Sequence, residues 1–79
     1  MTNDKNLDWN ILYVKIEGMA KFSAFSMQNQ CFVDRLIYAS LMQNTEDTQK
    51  KLQNWADLNK GCQLKAQLRR NNKVVFETK

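Results

Sequence analysis

The sequence predicts an α+β fold in which an antiparallel sheet of four or five strands packs against one main helix, in the order ββ(β)αββ. Strand-forming residues fill positions 8–27 on both sides of Gly18. Residues 45–59 have the clearest helical spacing of apolar side chains, and residues 62–69 alternate between apolar and polar ones. A chain of 79 residues is expected to form a single small domain over residues 1–79, with a loose N-terminus at residues 1–7.

Gly18 is expected to set the register of the N-terminal β-hairpin. A two-residue type II′ loop needs a positive φ at its first central residue, and glycine adopts that conformation without steric cost. Placing Gly18 and Met19 in the loop puts Tyr13 opposite Ala24, and opposite residues share a face. The expected core face then carries Leu12, Val14, Ile16, Ser23, Phe25 and Met27. The second face carries Trp9, Ile11, Tyr13, Lys15, Phe22 and Ala24.

Residues 31–42, CFVDRLIYASLM, fit either a helix or a third strand. The spacing of their apolar side chains matches a helix. Against a helix, no Ser, Thr or Asp stands just before the apolar run to cap it. The preceding residues 28–30 suit a short hairpin loop, and the segment is rich in strand-forming side chains. A third strand is favoured over a helix.

The predicted helix spans residues 45–59. Asn44 or Thr45 can cap its start, where acidic residues follow and complement the helix dipole. Its apolar stripe includes Trp55, which is expected to pack in the core and to cost on the order of 3–5 kcal/mol of stability when replaced by alanine. Gly61 is placed where a left-handed residue commonly ends a helix.

The last two strands are expected to form a second hairpin. Along residues 62–69, the even-numbered side chains are apolar and face the core. A two-residue loop would turn Phe76 toward the polar side. A three-residue loop at residues 70–72 pairs Leu68 with Val74 and keeps the apolar face together, so it is the preferred prediction.

Several kinds of chemistry have no candidate residues in this sequence. The chain has no histidine, which removes the ordinary general base near neutral pH and the common nucleophile pairs. Its two glycines are both assigned to a turn or a cap, so no glycine-rich phosphate loop is expected. Cys31 and Cys62 are expected to be small buried side chains rather than metal ligands. The sequence therefore predicts neither an enzyme nor a cofactor, metal or small-molecule substrate site.

The composition also bears on location. The first ten residues are polar and lack the basic and apolar regions of a secretory signal. No apolar run approaches the roughly 20 residues that span a bilayer. The protein is therefore expected in the cytoplasm, with no membrane partner.

The second face of the N-terminal hairpin is the first candidate binding surface. A single helix can cover only one face of a sheet, and a third strand over residues 31–42 would leave the other face uncovered. The expected interface residues are Trp9, Ile11, Tyr13, Phe22, Leu36 and Tyr38. An exposed patch of this kind usually marks an interface, with a second copy of the chain or another protein as partner. The alternatives are that residues 31–42 form a covering helix or that the N-terminal residues fold back over the patch.

The basic C-terminal hairpin is the second candidate surface. Residues 60–79 hold six of the twelve basic and one of the eight acidic residues, so their net charge is +5 within a chain of net charge +4. Lys65, Arg69, Arg70 and Lys73 are the candidate nucleic-acid contacts, and a solvated, solubilising face is the plainer interpretation. If Lys65 and Arg69 shared a face with the hairpin aromatic residues, they would suit single-stranded nucleic acid.

No motif assigns an activity, and the leading expectation is a non-enzymatic protein–protein interaction module that self-associates. Small domains of this plain composition are common among accessory and inhibitor proteins of bacteria and mobile elements, an analogy of size alone. The alternative function is nucleic-acid binding through the basic C-terminal hairpin.

Overall fold

The structure, a computed structural model, describes residues 9–79; the expected loose segment 1–7 lies outside these residues. Residues 9–79 contain six strands: β1 (Trp9–Lys15), β2 (Ser23–Ser26), β3 (Cys31–Phe32), β4 (Leu41–Gln43), β5 (Lys65–Arg70) and β6 (Lys73–Glu77). One α-helix, α1 (Glu46–Leu58), separates β4 from β5, and short 3-10 turns lie at Leu36–Tyr38 and Lys60–Cys62. The predicted α+β class, with one main helix and an antiparallel sheet, is confirmed.

Strand β1 is the centre of the sheet. The strand order is β3-β2-β1-β5-β6, and β4 also pairs with β1. All pairings are antiparallel, with β5 along one edge of β1. The other edge is shared, because β4 pairs with Trp9–Ile11 and β2 pairs with Tyr13 and Val14. Backbone N–H of Leu12 donates to the carbonyl oxygen of Ser40 at the junction.

The hydrophobic core lies between α1 and one face of this sheet. Its fully packed members are Leu12, Val14, Phe25, Leu52, Ala66 and Leu68, each at most 7% exposed. This is the face that the alternation of β1 predicts. Trp55 is only half-buried and lies beside Phe25, with ring centroids 5.5 Å apart. Leu52, at 1% exposed, is therefore the main apolar anchor of α1.

The turn at Gly18 differs from the predicted type II′ loop, although the hairpin register is confirmed. Tyr13 is opposite Ala24, as expected. However, the N–H of Met19 donates to the carbonyl of Ile16 at 3.0 Å, which makes Gly18 the third residue of the turn, where its φ is +91°. A positive φ at that position is the type II arrangement. The end of β1 is instead held by the N–H of Glu17, which donates to the carbonyl of Cys62 at 2.7 Å.

Residues 31–42 form neither the continuous third strand that was favoured nor the alternative helix. Two short strands, β3 and β4, lie at its ends, and the 3-10 turn at Leu36–Tyr38 separates them. The N–H of Val33 donates to the carbonyl of Ala24, and the N–H of Ser40 donates to the carbonyl of Phe25. Consecutive carbonyls of a strand point to its opposite edges. The chain therefore leaves β2 at one edge and returns at the other, which one straight strand cannot do.

The predicted helix is confirmed with a cap at Thr45, whose side chain accepts a hydrogen bond from the N–H of Thr48. The left-handed residue that follows it is not Gly61. The chain continues through the 3-10 turn, and Gln63 takes the left-handed conformation at φ +55°. Because of this 3-10 turn, the left-handed residue is Gln63, two residues after the predicted Gly61.

The final hairpin has a two-residue loop, so the predicted three-residue loop is wrong. Arg70 is opposite Lys73, and Asn71 and Asn72 both have positive φ, at 54° and 67°. That pattern is the type I′ turn that matches strand twist. Leu68 is opposite Phe76 because a β-bulge inserts one extra residue, at position 75, into β6. The bulge restores the apolar face that a plain two-residue loop would have lost.

Candidate functional site

The face of the sheet opposite α1 is here named the open face, and within residues 9–79 no α-helix lies against it. Opposite residues share a face. Ile11, Leu41, Arg69 and Val74 therefore form one row across β4, β1, β5 and β6. The next row holds Tyr13, Ala24, Gln67 and Glu77, and the third holds Lys15 and Lys65. The open face is thus mainly apolar at one end and cationic at the other.

The apolar end is defined here by Trp9, Ile11, Leu41 and Val74. Leu41 is 56% exposed, Val74 is 49% exposed and Trp9 is 47% exposed, whereas Ile11 is partly buried. Leu41 and Val74 were not among the expected interface residues. The apolar spacing of residues 31–42 includes Leu41, whereas Val74 lies on this face because the two-residue loop places it opposite Arg69.

The other expected interface residues are divided between two places. Leu36 and Tyr38 lie on the 3-10 turn, where they are 48% and 58% exposed. Ile37 between them is 78% exposed. Tyr13 and Phe22 lie on the open face nearer its cationic end, and both are partly buried.

Part of the open face has a cover from the same chain. Ala24, on the open face of β2, is only 7% exposed, and Ser26 beyond it is 3% exposed. Residues 33–39 leave from one edge of β2 and return at the other, so they cross one of its faces. Phe25 occupies the core face against Trp55, which leaves the Ala24 face for this crossing. The small side chain of Ala24 allows that close approach.

Alternation along the final hairpin separates the four predicted basic contacts. Lys65 and Arg69 lie on the open face, whereas Arg70 and Lys73 are one residue out of phase and face the α1 side at the end of the hairpin. Lys15 joins the first pair from β1 and lies directly opposite Lys65. The structure therefore brings together a different set of cations from the expected hairpin cluster, one that spans two strands.

Arg69 is held in place by a chain of contacts in the middle of the open face. Its guanidinium carbon lies 4.1 Å from the centroid of the Tyr13 ring, within cation–π range. Its Nε donates to Oε1 of Gln67 at 2.9 Å, and Nε2 of Gln67 donates to Oε1 of Glu77 at 2.6 Å. Gln67 is 6% exposed. Because this buried amide fixes Arg69, the guanidinium presents a positioned cation on the open face.

The cationic end contains a second contact of the same kind. Nζ of Lys15 lies 5.9 Å from the centroid of the Phe22 ring. A cleft of about 200 Å³ adjoins it, with Lys15, Glu17, Gln63 and Lys65 in its walls. Nε2 of Gln63 lies 3.5 Å from Oε1 of Glu17 there. Lysine ammonium groups thus lie beside an aromatic ring and a small polar cleft.

An apolar cleft of about 400 Å³ lies at the other end of the sheet, between α1 and the starts of β1 and β4. Its walls include Trp9, Met27, Met42 and Leu52. This cleft could not be predicted from the sequence, because its wall residues come from four separate segments. Cys31 is exposed and Cys62 half-buried, and both are free thiols, so the prediction that both are buried is wrong for Cys31.

Comparison with models of known protein families, with characterised proteins and with solved structures finds no match to this chain. Within residues 9–79, no group of three or more His, Cys, Asp or Glu side chains could hold a metal ion. In that part of the chain no helix has the length and apolar character needed to cross a membrane.

Proposed function

We propose that this protein is a protein–protein interaction module that self-associates through the apolar end of its open face. The observation that carries the proposal is the row on the face opposite α1 in which Leu41 and Ile11 are adjacent and Val74 lies on the far side of Arg69. Leu41 and Val74 are each about half exposed. Grouped exposed apolar side chains of this kind mark interfaces in soluble proteins.

The apolar end is enlarged by residues of the neighbouring 3-10 turn. Leu36, Ile37 and Tyr38 lie three to five residues before Leu41 in the chain, and each is at least 48% exposed. Aromatic residues are enriched at the centre of interfaces, where they provide large contact area at little cost in conformational entropy. A standard interface buries about 800 Å² on each partner. The three exposed side chains of the 3-10 turn increase the apolar area that the apolar end can bury against a partner.

The distribution of charge favours a second copy of the chain as the partner. Lys15 and Lys65 lie at the far end of the open face from Leu41 and Val74. A two-fold axis that runs along this row, perpendicular to the strands, makes the contact isologous, so the row meets its own copy. The same axis directs the lysine ends of the two copies in opposite directions. Self-association at the apolar end therefore keeps the lysine pairs apart, and Arg69 is the one cation in the contacting row.

The exposed edge of β6 is a poorer place for association. The bulge at position 75 interrupts the regular spacing of outward-pointing backbone groups. In addition, Nδ2 of Asn44 lies 3.4 Å from the carbonyl oxygen of Val75. Bulges and side-chain contacts of this kind protect sheet edges from pairing with another chain. Association is therefore proposed through the face of the sheet and not through strand pairing.

The mass in solution tests this proposal. Sedimentation equilibrium over a concentration series is expected to give a dimer for the wild type and a monomer for a Leu41→Ser, Val74→Ser double variant. Leu58→Ser is the matched control, because Leu58 is 84% exposed but lies at the end of α1. The control should remain dimeric. A monomeric wild type at the highest concentration refutes self-association, and a dimeric double variant refutes the proposed surface.

A further inference from the structure

We propose that the cationic part of the open face binds single-stranded nucleic acid, with Lys15 and Lys65 contacting backbone phosphate and the Tyr13–Arg69 stack contacting a base. Its residues are not those that define the apolar end assigned to self-association, but Arg69 adjoins that end, between Ile11 and Val74. The site also differs from the hairpin cluster expected from sequence, because Lys15 of β1 replaces Arg70 and Lys73. Its residues come from β1 and β5 and from the segment before β2.

The first observation is the direct opposition of two lysines. Lys15 and Lys65 are cross-strand partners, and like charges in this position repel one another. An anion placed between the two ammonium groups removes that repulsion. Lys65 is exposed and Lys15 partly so, which leaves both ammonium groups accessible to a ligand.

The second observation is the position of Arg69. Within residues 9–79 its described contacts are with Gln67 through Nε and with the face of Tyr13. These contacts fix the side chain and involve neither of its terminal amino groups. Nucleobases stack on aromatic rings and on arginine guanidinium planes, and both groups are present here. An arginine that is already ordered loses less conformational entropy when it binds a ligand.

The spacing of these groups suits a single strand rather than a compact anion. Phe22 lies beside Lys15, and Tyr13 lies beside Arg69, so cation and aromatic ring alternate along the face. Proteins that bind single strands combine a cationic path for the backbone with aromatic platforms for the bases. Two carboxylates lie nearby: Glu77 accepts a hydrogen bond from Gln67, and Glu17 lies 3.5 Å from the amide of Gln63. The cations outnumber them on the face itself.

Fluorescence anisotropy with a labelled 12-nucleotide oligothymidine tests the lysine pair. If the two lysines and the positive charge of Arg69 together neutralise three phosphates, the logarithm of affinity falls with that of salt concentration with a slope of about −2, which is a roughly twentyfold loss between 50 and 200 mM salt. A Lys15→Gln, Lys65→Gln variant should lose only about threefold over the same range. The matched control is Lys50→Gln, Lys51→Gln on α1, which removes the same charge from side chains that are 75% and 80% exposed. It should retain a slope close to that of the wild type.

The aromatic contribution has its own test, because Tyr13→Leu keeps an apolar side chain but removes the ring. It is expected to weaken oligothymidine binding roughly fivefold or more while leaving binding of polyglutamate unchanged. Thermal unfolding of the lysine variant should occur at or above the wild-type temperature, because an unfavourable charge pair has been removed. The proposal is overturned if the α1 control loses the salt dependence equally. It is also overturned if a duplex binds as tightly as the single strand, or if polyglutamate of equal charge competes as well as the oligonucleotide.

Discussion

Two leucines on α1 allow the packing of the core to be measured with one chemical change. Leu52 is 1% exposed within the core cluster, whereas Leu58, six residues later on the same helix, is 84% exposed. Leu→Ala removes the same atoms at both positions. The difference between the two variants therefore reports burial, apart from a small effect of helix position.

The expected cost at Leu52 is large. Buried Leu→Ala substitutions cost about 2–5 kcal/mol, through lost transfer free energy and the cavity left behind. Leu52 also lines the apolar cleft near Trp9, so its environment is not closed on every side, and we expect a value of about 3–4 kcal/mol within that range. At Leu58 we expect a change below about 0.5 kcal/mol, as at other exposed positions. A chain of 79 residues has a total stability of roughly 4–12 kcal/mol, so Leu52→Ala would remove a large share.

Thermal and urea unfolding, followed by circular dichroism, measure both variants at one protein concentration. For a domain of this size, 3–4 kcal/mol lowers the melting temperature by roughly 12–30 °C. The measurements are best made in the Leu41→Ser, Val74→Ser background, because self-association would add its own free energy. A loss below about 1 kcal/mol at Leu52, or an equal loss at Leu58, would refute the packing described for α1.

Further substitutions test local features of the chain by urea unfolding. Gly18→Ala should cost about 1–2 kcal/mol from backbone strain alone, since φ is +91° and no atom beyond the adjacent residues lies within 4 Å of the added Cβ; an unchanged midpoint would contradict the type II turn. Gln63→Gly should stabilise the protein by up to about 1 kcal/mol, because φ is +55° there, and destabilisation would contradict that conformation. Thr45→Ala should cost about 1 kcal/mol through loss of the helix cap, and a value near zero would show that the cap contributes nothing. Lys50→Ala should change stability by less than about 0.5 kcal/mol, because its ion pair with Glu46 is exposed at 4.0 Å, and a larger loss would show a stronger pair.

The register of the N-terminal hairpin could be predicted even though its turn type could not. A shift of one residue would turn every apolar side chain of β1 to the other face, so only one register is compatible with a buried Leu12 and Val14. The type of turn is a weaker constraint. Here the turn type depends on Glu17, because its backbone N–H donates a hydrogen bond to the carbonyl of Cys62, which is distant in the chain. That contact could not be expected from local sequence.

The final hairpin shows the same limit. The Asn71-Asn72 pair favours a two-residue turn. With regular strands, that turn would move Phe76 away from the core face, so the local preference and the apolar pattern disagree. The prediction resolved the conflict by lengthening the loop, whereas the structure resolves it with a bulge at position 75. Both solutions satisfy the apolar pattern. The pattern alone therefore could not choose between them.

The candidate site was predicted only in part. Trp9, Leu36 and Tyr38 are exposed, as the sequence predicts for an uncovered surface, and their place at an interface stays a prediction. The basic residues that are close in the sequence do not form one cluster in the structure, because neighbours such as Arg69 and Arg70 point to opposite faces of a strand. The pairing of Lys15 with Lys65 depends on which strand lies beside β1, and they are fifty residues apart in the chain.

The sequence by itself determined the fold class, the capped helix and the face of each long strand that enters the core. These properties follow from alternation, helical spacing and capping, which act over a few residues. Only the tertiary structure decided the division of the β1 edge between two strands, the crossing over Ala24 and the arrangement of cations and apolar side chains on the open face. Those features depend on which distant segments become neighbours, and local spacing carries no information about that choice.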